Sequence, residues 1–189
     1  MDELIEFLKA DSGAMAAVGA ITSAIAAALA VLVSALSLVI SIWAVLTQRK
    51  HNRLSVRPLA EITIADYEDC LRVKLRNHGV GPMLVASFSV TEGANEKQSI
   101  LDCMPVLPDG ICWSNFVGVI NGRSIAPSKE IVLIELCGDE EDPNFIVARK
   151  AVRRSLAPLS LTVSYADIYG KSIASYTKAL TWFGRGIEE

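Results

Sequence analysis

A run of 36 residues without a single charge, residues 13–48, constrains this 189-residue chain more than any other feature. A helix crosses a bilayer core of about 30 Å with about 20 apolar residues. The run is therefore long for one crossing and short for two, and no turn signal divides it. It predicts one long transmembrane helix over residues 13–48, with the bilayer at residues 25–46. The acidic start of the chain is unlike a signal peptide, which favours a retained anchor.

Charges on the two sides of the run predict its orientation. Residues 1–12 carry four acids and one lysine, whereas residues 49–58 carry only basic charges, at Arg49, Lys50, Arg53 and Arg57. Positive residues flank the cytoplasmic side of a membrane helix. We therefore expect a single-pass protein of the bacterial inner membrane, with an amphipathic N-terminal segment (1–12) outside and residues 49–189 in the cytoplasm. The basic linker 49–58 is expected to contact lipid.

Small residues recur along the predicted helix at alternating spacings of three and four. This period of 3.5 is typical of a left-handed coiled coil, and small residues are typical of helix interfaces in lipid. Every serine of the uncharged run lies on the stripe. The pattern predicts a parallel homo-oligomer, with packing or pore-lining positions at Ala16, Ala20, Ser23, Ala27, Ala30, Ser34, Ser37 and Ser41.

Two other interpretations of the stripe stay open. An alanine-rich helix produces stripes of small residues by chance, although alanine abundance does not explain where the serines fall. Serine hydroxyls can also line a narrow pore. A dry packed bundle is the simpler expectation, because the run contains no ionisable residue that would mark an ion pathway.

Residues 59–183 show the two-residue alternation of β-strands, most clearly at 70–76, where leucine or valine alternates with arginine or lysine. Pro143–Leu156 is typical of a short helix with proline in its first turn. The pattern predicts a mainly-β antiparallel sandwich with one short inserted helix, followed by a tail at 184–189. Besides 70–76, strands are expected at 61–65, 83–91, 99–103, 112–119, 129–136, 159–166 and 172–182.

Three turn segments carry a resemblance to a known group. Residues 77–82 (Asn-His-Gly-Val-Gly-Pro), 125–130 (Ile-Ala-Pro-Ser-Lys-Glu) and 165–171 (Tyr-Ala-Asp-Ile-Tyr-Gly-Lys) resemble motifs of uncharacterised bacterial membrane proteins. Those proteins have one N-terminal transmembrane helix and a cytoplasmic immunoglobulin-like β-sandwich. Their motifs usually run Asn-x-Gly-x-Gly-Pro-Ala, Leu-x-Pro-Gly-Glu and Tyr-x-Asp-x-x-Gly, so Met83 and Ser128 depart from the usual Ala and Gly. The resemblance implies this fold and no particular activity.

The residue types that carry catalysis or bind metals are sparse. The four cysteines, Cys70, Cys103, Cys112 and Cys137, form no close pairs of the kind that a zinc site needs. On the cytoplasmic side we expect them to be buried and reduced; in the opposite orientation two disulfides become possible. With two histidines and no catalytic motif, we expect no enzyme, no cofactor and no metal.

Four basic residues lie within six positions of the predicted short helix: Arg149, Lys150, Arg153 and Arg154. One interpretation is a solvated helix with cations toward its C-terminal end, which suits the helix dipole. The other is an anion site for lipid headgroups or for a phosphorylated ligand such as a signalling nucleotide. The net charge of −3 predicts no DNA binding.

These features predict a membrane protein that assembles through its helix and binds a protein or an anionic small molecule with its cytoplasmic sandwich. The alternative is a ligand-gated effector, for example one gated by a nucleotide in bacterial antiviral defence. In that case the helix bundle opens a pore and permeabilises the inner membrane.

Overall fold

The computed structural model describes the backbone of residues 2–186 and the side chains of residues 13–186. The side chains of the predicted amphipathic segment and residues 187–189 of the predicted tail lie outside the described residues. The contacts divide the chain into two compact units, one ending at Asn52 and the other beginning at Arg53.

The first unit is formed by helix α1, which spans Asp2–Ser55 and whose last three residues belong to the second unit. Its segment Gly13–Ser55 is long and apolar enough to cross a membrane, and none of its most apolar window is buried within the chain. The helix passes through most of the linker expected at 49–58, because residues 49–55 contain neither proline nor glycine. It ends just before Arg57-Pro58, where proline disfavours helical backbone in the preceding residue.

The second unit is an antiparallel sandwich of two sheets. One sheet has the order β1-β2-β7-β5. The other has the order β4-β3-β8-β9, and β6 pairs with β3. The strands are β1 (Ala60–Asp66), β2 (Cys70–Asn77), β3 (Met83–Glu92), β4 (Asn95–Lys97), β5 (Asn115–Phe116), β6 (Ser124–Ile125), β7 (Glu130–Cys137), β8 (Ser160–Ala166) and β9 (Tyr176–Ala179). The predicted fold class, a long apolar helix followed by a β-sandwich with one short helix, is confirmed.

One hydrophobic core lies between the sheets. Alternate residues of β2 (Leu71, Val73 and Leu75) are fully buried, as the alternation predicts. Helix α2 (Pro143–Leu156) contributes a stripe at helical spacing, formed by Phe145, Ala148, Val152 and Leu156. The bounds of α2 match the prediction. The helix begins at Pro143 because Asp142 caps it by accepting a hydrogen bond from the Asn144 N–H at 2.8 Å.

Three predicted strands differ from the structure. The strand expected at 99–103 is wrong: Leu101–Cys103 is a 3-10 helix, and the buried Ser99 hydroxyl accepts a hydrogen bond from the Leu101 N–H. The strand expected at 112–119 is reduced to β5, and the one expected at 172–182 is reduced to β9. The two-residue strands β5 and β6 are too short to show an alternation in the sequence.

The cysteines also differ from the expectation. Cys70 and Cys137 face each other on neighbouring strands β2 and β7 and form a disulfide. Cys103 is half-buried, and Cys112 is exposed. The expectation of four buried, reduced cysteines is therefore wrong: Cys70 and Cys137 are oxidised, Cys112 is exposed, and Cys103 is buried only in part. It misses the pair because residues 67 positions apart become cross-strand neighbours only through the sheet topology.

Candidate functional site at the end of the helix

Residues 53–59 lead from the last turn of α1 into β1; two loops of the sheet unit contact them, and a third loop contacts Asn77. The loops are residues 77–82, 125–130 and 167–171, and each contains part of a turn motif seen in the sequence. We call residues 53–59 and these loops the junction. All of it belongs to the unit that begins at Arg53.

Asn77 lies at the centre of the junction and is fully buried. Its Oδ1 accepts hydrogen bonds from the Leu59 N–H at 3.2 Å and the Gly79 N–H at 2.9 Å. Its Nδ2 donates to the carbonyls of Gly81 at 2.8 Å and Ile125 at 3.1 Å. One side chain thus ties the start of β1 to two loops, and buried amides without such partners would be costly.

The glycines of the first loop allow the linker to pass close to it. A Cβ atom at Gly79 would overlap the Arg57 carbonyl, and a Cβ at Gly81 would overlap the Val56 carbonyl. The His78 N–H also donates to the Leu59 carbonyl at 2.8 Å. The spacing Asn-x-Gly-x-Gly therefore combines one amide that binds the linker with two positions that admit its backbone.

The second loop meets Asn77 through its backbone. The Ser128 N–H donates to the Asn77 carbonyl at 2.9 Å, and the Asn77 N–H donates to the Lys129 carbonyl at 3.0 Å. Ser128 has a φ of +58°. A residue with a Cβ adopts this left-handed conformation at a cost, and the position is the one where the resembling proteins usually have glycine.

Asp167 in the third loop binds the last turn of α1. Its Oδ1 accepts hydrogen bonds from the Tyr169 and Lys171 N–H groups, each at 2.9 Å. Its Oδ2 lies 3.3 Å from Arg53 Nε, and the Arg53 guanidinium lies over the Tyr169 ring. Only 6% of the Asp167 side chain is exposed.

The environment of Asp167 favours its charged form. Burial raises the pKa of the carboxyl, but the backbone N–H groups of Lys171 and Tyr169 and the charge of Arg53 together outweigh burial. The pKa of Asp167 therefore lies below its ordinary value. Asp167 is therefore ionised in the ordinary pH range, and both of its carboxylate oxygens already interact with hydrogen-bond donors.

A cavity of about 240 Å³ opens beside the Arg53–Asp167 pair. Besides these two residues it is lined by the cations Arg57 and Lys171 and by small or apolar side chains. The remaining lining residues are Leu54, Ser172, Ile173 and Ala174. With three cations and one carboxylate, the cavity carries an excess of positive charge.

The basic residues of α2 do not form one open cluster. Arg149 donates from Nε and Nη2 to Asp66 Oδ1, at 3.0 and 2.6 Å, and Arg153 Nε lies 3.1 Å from Asp66 Oδ2. Asp66, at the end of β1, is 5% exposed in its side chain. Lys150 and Arg154 are exposed to solvent. Half of the predicted anion-binding set therefore has a structural partner in β1.

The residues of the predicted stripe all lie on α1 and are exposed within the single chain. The hydroxyls of Ser23, Ser34, Ser37 and Ser41 each donate to the carbonyl four residues earlier, at 2.8 Å. Of the four predicted lipid-contacting cations, Arg49 and Lys50 are exposed on α1, whereas Arg53 and Arg57 line the junction cavity.

One set of possible metal ligands occurs among residues 13–186: Cys70, Glu135 and Cys137, whose ligand atoms lie within 4.8 Å of one another. The two sulfur atoms are bonded to each other. Glu135 pairs with Arg72, whose Nε lies 3.3 Å from Oε1. A disulfide and a carboxylate beside a guanidinium are poor ligands for a cation.

Three residues of the junction are not predicted to be functional from the sequence: Asn77, Asp167 and Lys171. The turn motifs contain all three, but turn chemistry alone explains such motifs. The sequence matches no protein-family model and no curated protein. The group resemblance carried by these motifs therefore stays a prediction.

Proposed function

We propose that this chain is a non-enzymatic, single-pass membrane protein that homo-oligomerises through α1 and presents its sandwich as a binding module. The observation that carries this proposal is the exposure of every residue from 13 to 50 within one chain, in a segment apolar enough to cross a membrane. Lipid covers the large apolar side chains of such a surface well. The stripe of small residues suits a second helix better, since the close approach of two helix backbones drives association in lipid.

The serine hydroxyls favour a packed helix interface rather than a water-filled pore. Each of the four donates to a carbonyl of its own helix, so none of them requires water or another chain as an acceptor. Such hydroxyls are tolerated in an apolar contact between helices. The stripe also drifts by about 20° per heptad on a straight helix, so a left-handed supercoil would keep it at the interface.

Assembly would increase the avidity with which the sandwich binds its partner. Copies held together by their helices present several identical modules at high effective concentration. The junction ties residues 53–59 to the sheet unit through Asn77 and Asp167, so the module begins directly where α1 ends. We propose that an anionic small molecule or a protein is bound by these clustered modules.

For the orientation we propose the arrangement that the charges predict, with the sandwich in the cytoplasm of a bacterium. Arg49 and Lys50 support it, since basic residues flank the cytoplasmic end. The Cys70–Cys137 disulfide points the other way, because such bonds persist mainly in oxidising compartments. Cys112, which is exposed and free, allows a direct test with an impermeant maleimide. We expect labelling only after the inner membrane is permeabilised.

The assembly is tested by the native mass of the full-length protein in detergent. Ala27 lies on the stripe and Ala28 does not, so leucine at each makes a matched pair of variants. We expect an oligomeric wild type, dissociation in Ala27→Leu, and wild-type mass in Ala28→Leu. A monomeric wild type, or equal effects of the two variants, would exclude the proposed seam.

The pore alternative is tested on the same helix. Ser34→Leu and Ser37→Leu remove two hydroxyl positions from the stripe without adding charge. If the oligomer conducts through a serine-lined pore, both variants should abolish dye release from vesicles that contain the protein. We expect no dye release from vesicles with wild-type protein, with or without added nucleotides.

A further inference from the structure

We propose that the junction cavity is a binding site for a phosphate group, supplied in the membrane by the headgroup of an anionic phospholipid. The proposal rests on the membrane anchoring of α1 but not on its assembly. It assigns a ligand to the cavity lined by Arg53, Arg57, Asp167 and Lys171.

The charges in the cavity favour an anion. Asp167 is occupied by Arg53 Nε and by two backbone N–H groups, so its negative charge is compensated within the protein. Arg57 and Lys171 are exposed, and neither makes an ion pair with any residue in the described range 13–186. Two cations thus line one concave surface with their charges uncompensated, and phosphate oxygens are strong acceptors for both.

The loop geometry anchors the backbone of Arg57 and Lys171. The Lys171 N–H donates to Asp167 Oδ1, and the Asp167 N–H donates to the Lys171 carbonyl at 3.1 Å. Arg57 precedes Pro58, which is buried, and its carbonyl lies against Gly79. Lys171 and Arg57 therefore extend from anchored backbone rather than from free loops, which lowers the entropy lost on binding.

The size and polarity of the cavity suit a headgroup. Its volume of about 240 Å³ is below the ~300–1,000 Å³ of pockets for drug-sized ligands. Leu54, Ile173 and Ala174 give it an apolar wall. A phosphodiester with adjoining glycerol carbons presents the same combination of anionic and apolar groups.

The cavity begins only a short distance along the chain from the predicted bilayer segment. Arg53 follows Leu46, the end of the predicted bilayer segment, by about two helical turns, or roughly 11 Å of rise. The polar layer on each side of the hydrocarbon core is roughly 5–8 Å thick. Arginine and lysine side chains are long enough to cover the remaining distance.

The test is native mass spectrometry of the full-length protein in detergent with added phosphatidylglycerol or phosphatidylcholine. We expect selective retention of phosphatidylglycerol by the wild type. Arg57→Gln combined with Lys171→Gln should weaken this binding roughly 25-fold, if each juxtamembrane cation contributes about fivefold. Ala174→Trp, which fills the cavity without a change in charge, should weaken it as well.

Lys150→Gln combined with Arg154→Gln is the charge-matched control, since these exposed cations lie on α2. We expect it to bind like the wild type. An unchanged Arg57/Lys171 variant, an unchanged Ala174→Trp variant, or an equal loss in the control would overturn the proposal. Competition with inorganic phosphate separates the sources: displacement of lipid indicates recognition of the phosphate alone, and lack of displacement indicates recognition of the whole headgroup. The oligomer mass, read in the same spectra, reports on assembly separately.

Discussion

The Asn77 side-chain oxygen accepts a hydrogen bond from the Leu59 N–H at 3.2 Å, across 18 residues of sequence. Leu59 immediately precedes β1, and Asn77 is the last residue of β2. Asn77 also donates to the carbonyls of Gly81 and Ile125. A single buried amide therefore joins the segment 53–59, the loop after β2 and the end of β6. This arrangement makes the linker an integral part of the sandwich.

Asn77→Ala should therefore destabilise the sheet unit strongly. The substitution leaves the part-buried N–H of Leu59 and the carbonyls of Gly81 and Ile125 without their partner, at a cost of about 3 kcal/mol in the free energy of unfolding. Urea denaturation followed by tryptophan fluorescence measures this loss. Asn144→Ala, at an exposed position early in α2, is the control and should change the stability by less than about 0.5 kcal/mol. Similar stability of the two variants would contradict the central role of Asn77.

Gly81→Ala should push the linker away from the first loop. The added Cβ would overlap the Val56 carbonyl, and such overpacking costs about 1–3 kcal/mol. Limited trypsin digestion detects the change, because release of the linker exposes the bond after Arg53 to cleavage. Gly118→Ala is the matched control, since a Cβ at Gly118 meets nothing within 4 Å. Equal cleavage rates in the two variants would show that the linker does not depend on Gly81.

The parts of the fold that the sequence predicts are those with long, regular patterns. β2 and β8 alternate over several residues, and α2 is marked by Pro143 and by apolar residues at helical spacing. The segment 99–103 has the composition of a strand, but the Cys103 and Met104 N–H groups donate to the Ile100 and Leu101 carbonyls and form a 3-10 helix. Just before it, the Ser99 hydroxyl accepts a hydrogen bond from the Leu101 N–H. A local side-chain bond of this kind competes with strand pairing.

The site is less predictable, because its contacts connect residues distant in sequence. The cations of α2 are visible as a cluster, but nothing near them indicates that Asp66 in β1 occupies Arg149 and Arg153. Similarly, Asp167 lies 114 residues from Arg53. The turn motifs reveal where such residues lie along the chain, while the sheet topology decides which of them meet.

Ser128→Gly should stabilise the protein. Ser128 adopts a φ of +58°, which glycine adopts without steric cost, and its backbone bond to Asn77 is retained. After the larger entropy of the unfolded glycine chain is subtracted, a gain of about 0.5–1 kcal/mol remains. Ser124→Gly in β6 is the control and should have the opposite sign, because glycine weakens a strand. Thermal unfolding of both variants measures the difference, and a loss of stability in Ser128→Gly would contradict this account.

Asp167 should make the stability of the sheet unit dependent on pH in the acid range. Because the folded-state pKa of Asp167 lies below the ordinary pKa of an aspartate, the carboxylate stabilises the folded state at pH values above that ordinary pKa. The stabilisation is lost as the pH falls through the folded-state pKa. We expect Asp167→Asn to be less stable than wild type at pH 7 and the difference in stability to be smaller at pH 3. Urea denaturation at both values measures this, and a gap independent of pH would exclude a role for the charge.

The cysteines should divide into a bonded pair and two free thiols of unequal reactivity. Without reductant we expect two thiols per chain, from Cys103 and Cys112, and four after reduction. Cys112 is exposed and should react with maleimide first. Burial raises the pKa of the Cys103 thiol, Lys97 opposes the shift, and Glu92 and Asp102 add to it. Since the thiolate is the nucleophile, the Cys103 rate should continue to increase with pH above the ordinary pKa of a cysteine.

Reduction should also lower the stability of the sheet unit. The Cys70–Cys137 bond closes a loop of sequence separation 67, and loss of such a crosslink typically costs about 2–4 kcal/mol in the free energy of unfolding. The double variant Cys70→Ser and Cys137→Ser should match the reduced wild type, whereas Cys112→Ser should match the oxidised one. Four reactive thiols in the unreduced protein, or unchanged stability on reduction, would show that the pair does not crosslink β2 to β7 in solution.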